Sequence, residues 1–161
     1  MEAFWGAATP AVSSQWIGSF CPVAIVEEAS GRPEKADEVF RTAEKSLDCL
    51  RFRADILAAR GRWDEAQTAY EQAVAYAPDL PAGYYSWGIA LLKHKEWAAA
   101  LAKLTAAHKR GPHWADPLKA IGDVLAAQGR KKEALSAYDQ ALKLAPAWDE
   151  LHRAREHART L

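Results

Sequence analysis

The chain has 161 residues, half of them apolar, with 21 basic and 21 acidic side chains and no formal net charge at pH 7, a size that suits one ordinary domain or one short repeat array. Zero net charge excludes the broad basic footprint that nucleic-acid phosphates require, and it disfavours adhesion to anionic membrane surfaces. Two cysteines, Cys21 and Cys49, are too few for the disulfide framework of a small secreted fold, so two reduced, partly buried thiols are expected.

The chain opens with a mildly apolar segment, but its start carries Glu2 and no Lys or Arg, and Pro10, Ser13, Ser14, Gln15 and Gly18 interrupt the run. From that pattern neither a signal peptide nor an anchor is expected. No stretch reaches the roughly 18 apolar residues of a membrane span, and a cytoplasmic location is expected. Residues 1–20 show no usable periodicity and are expected to be poorly ordered. Residues 21–46 read as a degenerate helical hairpin, in which Gly31, Ala36, Phe40 and Ala43 mark a second helix. Its first helix, over 22–29, is shorter than the ~12 residues that an isolated helix needs in water and must lean on a neighbour.

From here the sequence repeats itself every thirty-four residues. Trp87-Gly88, Leu91, Ala100, Leu104, Ala107 and Pro112 recur downstream as Ile121-Gly122, Leu125, Ala134, Tyr138, Ala141 and Pro146. Upstream they recur as Arg53-Ala54, Leu57, Ala66, Tyr70, Ala73 and Pro78. The apolar positions fall at helical spacing in two blocks per period, near Pro81 to Lys93 and Trp97 to Lys109 in the middle copy. Small residues at Gly88 and Ala100 let two antiparallel helices approach, larger ones fill the space between hairpins, and the proline ends the second helix. Repeats are therefore expected over 47–80, 81–114 and 115–148. Residues 149–161 read as a polar capping helix.

These residues resemble the tetratricopeptide-repeat (TPR) family, whose pattern places an aromatic, a Leu-Gly pair, a Tyr, an Ala, an aromatic, an Ala and a Pro at these intervals. Leu50 and Arg53 depart from it in the first copy. The resemblance implies an all-α fold, an α-solenoid of stacked hairpins in a right-handed superhelix, with the first helices lining a concave groove. The inward positions it implies include Arg51 and Asp55, then Tyr85, Ile89 and Lys93, then Asp116, Lys119 and Asp123. An apolar strip at Tyr85 and Ile89 would lie between two charged ones, which suits an amphipathic helix or an extended peptide. Arg51 with Asp55 and Lys119 with Asp123 are also helical i,i+4 pairs that can simply solvate a surface. Tyr85 and Ile89 can equally pack beneath a terminal segment.

One subclass of the family grips the terminal carboxylate of chaperone tails. Here Asp55, Ser86, Asp116 and Ala120 stand where most of that clamp would be, so an anionic tail is not expected. Nor can an asparagine ladder hold peptide backbone, since the chain has no asparagine. The histidines His94, His108, His113, His152 and His157 lack metal-ligand spacing, and no phosphate-cradling glycine loop or nucleophile motif occurs. Catalytic, cofactor and metal sites are all expected to be absent. The sequence points to a scaffold that binds a protein or peptide partner of unknown identity, without nucleic acid or membrane. A structural piece of a longer array, or self-association through the N-terminal edge, stands as the alternative.

Overall fold

The computed structural model describes residues 21–42 and 45–160; the poor order expected of residues 1–20 lies outside them. Among the described residues all regular structure is helical. The order is α1 (Cys21–Ala29), α2 (Pro33–Thr42), α3 (Leu47–Ala59), α4 (Trp63–Tyr76), α5 (Pro81–Lys93), α6 (Trp97–Arg110), α7 (Asp116–Ala127), α8 (Lys131–Leu144) and α9 (Asp149–Thr160). The chain divides into two units between Lys45 and Ser46.

In the first unit, α1 and α2 form one antiparallel hairpin held by Ala24 and Ala36, both fully buried. Gly31 makes the turn at φ +71°. The outward side of α1 leaves Val23, Ile25 and Val26 exposed, the last at 59%.

The second unit is an α-solenoid. Its hairpins α3–α4, α5–α6 and α7–α8 stack in order, and α9 closes on α8. Each hairpin turn is built alike. The Arg62 N–H donates to the Leu57 carbonyl, Glu96 N–H to Leu91 and Arg130 N–H to Leu125, the six-to-one bond of a Schellman motif, which needs a left-handed residue just before the donor. Gly61 and Gly129 supply that conformation in two turns; in the third, Lys95 does so at φ +61°. The second helices end at Ala77, Gly111 and Ala145, whose backbone leaves the α region, as the prolines that follow favour.

Within each hairpin the helices touch through their smallest residues. Ala54, Ala66, Ala100 and Ala134 have no exposed surface. A Cβ on Gly88 would stand 2.6 Å from Leu104 Cγ, and one on Gly122 would stand 2.4 Å from Tyr138 Cε1. Gly83 is different: the nearest atoms to its Cβ would be at ordinary contact distance, 3.4 Å or more.

Cys21 and Cys49 are both disulfide-bonded, so the expectation of reduced thiols is corrected.

A non-glycine residue in the left-handed region costs roughly 1–2 kcal/mol. Lys95→Gly is therefore expected to raise the thermal midpoint, whereas Gly122→Ala is expected to lower it by overpacking worth about 1–3 kcal/mol; calorimetry of both variants beside the parent checks the pair.

Candidate functional site

The first helices of successive hairpins pack side by side, α3 on α5, α5 on α7 and α7 on α9, so one face of the second unit is made of their inward residues. Between α3 and α5 this face opens into a cleft of about 470 Å³ lined by Asp55, Ala58, Ala59, Tyr70, Tyr85, Ser86, Ile89, Ala90, Lys93 and His94. Three alanines leave the room, and Tyr85 with Ile89 give the lining an apolar character. Asp55, Ser86, Lys93 and His94 supply the polar groups.

The expected Arg51–Asp55 pair is not what the structure brings together. Arg51 crosses between helices: Nη1 donates to Ser86 Oγ at 3.0 Å and Nη2 to Asp48 Oδ1 at 3.0 Å. Asp55 instead accepts from the Tyr70 hydroxyl at 2.5 Å, a bond from the second helix of its own hairpin. Burial pushes the Asp55 carboxyl above its usual range, against the opposing pull of that bond and of Arg51 and Lys93. Burial and the Asp55 charge push the Tyr70 hydroxyl far up.

The same latch recurs two repeats on, where Asp123 accepts from the Tyr138 hydroxyl at 2.8 Å. Here the expected i,i+4 pair does form: Lys119 Nζ reaches Asp123 Oδ2 at 3.0 Å and Glu150 Oε1, on α9, at 3.1 Å. Burial opposes the Lys119 charge, but its two carboxylate partners outweigh that and raise its pKa. In the middle hairpin the equivalent positions are Ile89 and Leu104, and the latch is replaced by apolar packing.

Tyr85 lies at the junction. Its ring lines the cleft and leans on Trp114, with centroids 4.6 Å apart and planes at 55°. Burial first, and then the charges of Asp116, Asp123 and Glu150 against that of Lys119, hold its hydroxyl above the ordinary value. Ile89 is partly buried against the core, Lys93 is exposed at the end of α5, and Asp116 is half-buried in the first turn of α7. Beside the cleft, Trp63 at the start of α4 stacks its ring on His94 with centroids 3.7 Å apart, and its Nε1 donates to Glu96 at 2.9 Å.

Tyr70, Tyr138, Trp114 and Glu150 belong to this face, although the sequence reading did not place them there. Glu150 was legible: it stands thirty-four residues after Asp116, at the same inward position, and was read only as part of a polar cap. Among the described residues no group of three or more His, Cys, Asp or Glu could hold a metal ion, and no helix is long and apolar enough to cross a membrane.

A family profile described as "TPR repeat" matches residues 54–95, and one described as "Tetratricopeptide repeat" matches residues 115–148. These two stretches are tetratricopeptide repeats. No curated protein matches its sequence. Among solved structures, this TPR chain is similar to MamA (41-end) from Desulfovibrio magneticus RS-1, with 19% identity over 91% of this chain and 84% of that one and a TM-score of 0.71. It is similar also to YrrB, described as a TPR protein with an unusual peptide-binding site, with 19% identity over 92% of this chain and 75% of that one and a TM-score of 0.70. The TPR2B domain of yeast Sti1, solved as a complex with pHsp70, matches 71% of this chain and 96% of its own at 19% identity, with a TM-score of 0.64. At these identities the likeness is one of fold.

The raised folded pKa of Asp55 gives a sign to its part in stability. Its contribution is fully present below the ordinary carboxyl value of 3.8 and is lost as pH rises through the folded value. Asp55→Asn keeps an acceptor for Tyr70 and removes the titration. The stability of the variant relative to the parent is expected to climb between pH 3.8 and neutrality, read as the difference in urea midpoints at each pH.

Proposed function

We propose that this TPR chain is a binding scaffold that holds a peptide or helical segment of a partner protein against the face of α3, α5 and α7, with no reaction catalysed there. The observation that carries this reading is the α3–α5 cleft, a concave, mainly apolar space with a few convergent polar groups, which is the usual form of a ligand site. Structures of the same fold that are described with a peptide-binding site, or solved with a bound partner, support it. Arg51, Asp55, Tyr85, Ile89, Lys93, Asp116, Lys119 and Asp123 are proposed as the residues of this face. Asp55 and Asp123 hold the helices that carry it, through Tyr70 and Tyr138, rather than offering free charges.

A second reading rests on a separate observation, the exposed Val23, Ile25 and Val26 of α1. Such a strip fits self-association through the N-terminal hairpin, or a neighbouring part of a longer array.

One experiment separates the two. Ala59 is exposed at the cleft, so Ala59→Trp is expected to fill the space without disturbing the core. If a protein captured from cell extract by the parent chain is lost with Ala59→Trp while both remain equally helical by circular dichroism, the cleft is the binding site. If the same proteins are retained by both, and sedimentation shows a dimer that Val26→Asp dissociates, the self-associating reading replaces it.

A further inference from the structure

The groove carries an unequal charge that composition conceals. At the α3–α5 end the signs balance: Asp48 pairs with Arg51, and Asp55 lies within the field of Lys93. At the α7–α9 end they do not. Asp116, Asp123 and Glu150 surround Tyr85 with one ammonium among them, that of Lys119. Three carboxylates against that ammonium and the guanidinium of Arg153, which stands thirty-four residues after Lys119 on α9, leave one negative charge. Lys119 is already shared between Asp123 and Glu150, so it has little left to offer an anion, while Asp116 and the exposed Glu150 keep acceptor capacity. The whole chain is neutral, so this excess is a separation of charge. Part of the compensating positive charge is on α6, a second helix, whose last turn carries Lys109 and Arg110.

Tyr85 joins this acidic end to the cleft, because it lines the cleft and lies within the field of the carboxylates. An extended ligand lying along the groove therefore meets an apolar space and then a negative field. Packed helices lie ~8–10 Å apart, so the step from the α3–α5 cleft to α7–α9 is roughly 15–20 Å. An extended chain at ~3.3 Å per residue covers that in about five residues.

Resting on the groove reading above, we propose that the partner segment is basic: a large apolar side chain seated in the α3–α5 cleft, followed about five residues away by Lys or Arg held at Asp116 and Glu150. Charge complementarity of this kind sets specificity and association rate more than raw affinity. An acidic tail is disfavoured by the same field.

Panning a random twelve-residue peptide display library on the full chain tests this. Enriched peptides are expected to pair a large apolar residue with Lys or Arg about five positions away. The Asp116→Asn, Glu150→Gln double variant is expected to bind the best of them roughly five-fold more weakly at low salt, with the difference largely gone near ~0.5 M. Ala59→Trp should abolish binding of the same peptide. Peptides that carry the apolar residue without a basic one, or with Asp or Glu instead, overturn the charge inference and leave the cleft standing. Peptides that Ala59→Trp binds as well as the parent, or no enrichment at all, overturn the groove reading and this inference together.

Discussion

Everything on the functional face follows from how closely the two helices of each hairpin approach. Ala54, Gly88 and Gly122 sit where the partner helix crosses, opposite Tyr70, Leu104 and Tyr138. The near-zero bulk on the first helix lets a large side chain from the second reach across it. In two hairpins that side chain is a tyrosine, and its hydroxyl emerges beside the aspartate that follows the small residue on the first helix. The contact that closes the hairpin thus also fixes a polar group on the binding face. A buried hydroxyl without a partner would cost about 1–3 kcal/mol, and the aspartates remove that cost.

The repeats are similar in frame and different in surface. Identical Schellman bonds set each hairpin's turn, and identical alanines set its closure, so the inward positions of α3, α5 and α7 are presented alike. What they present differs: a balanced charged set on α3, an aromatic and aliphatic strip on α5, an acid-rich set reaching α9 on α7. Binding character on such a scaffold is decided by a few residues that the fold does not need.

Much of the frame was legible in the sequence, because a thirty-four-residue period, small residues at the crossings and a proline after each second helix each have one structural meaning. Helix α5 runs over Pro81–Lys93, as the apolar spacing indicated. Lys95 was less legible, since a left-handed residue is announced by glycine and only the alignment with Gly61 and Gly129 exposes it. Asp55 shows the limit more sharply. Its distance from Arg51 fits a helical ion pair, but a competing partner fifteen residues away, Tyr70, lies closer once the hairpin closes. Local spacing cannot weigh a tertiary bond.

Several side chains of the second unit reach one repeat forward: Arg51 to Ser86, Trp63 to His94 and Glu96, and Lys131 to the Arg159 carbonyl. In a stack whose members touch only their neighbours, stability is close to a sum of repeat terms and interface terms. Opening the hairpin of α5 and α6 breaks an interface on each side, whereas fraying α9 breaks contacts on one side only. The unit is therefore graded in its local opening, and the cleft, which is half built on α5, lies where the backbone is held most firmly shut. A ligand there meets a surface already in its bound shape, and little of its binding free energy is spent on ordering the scaffold.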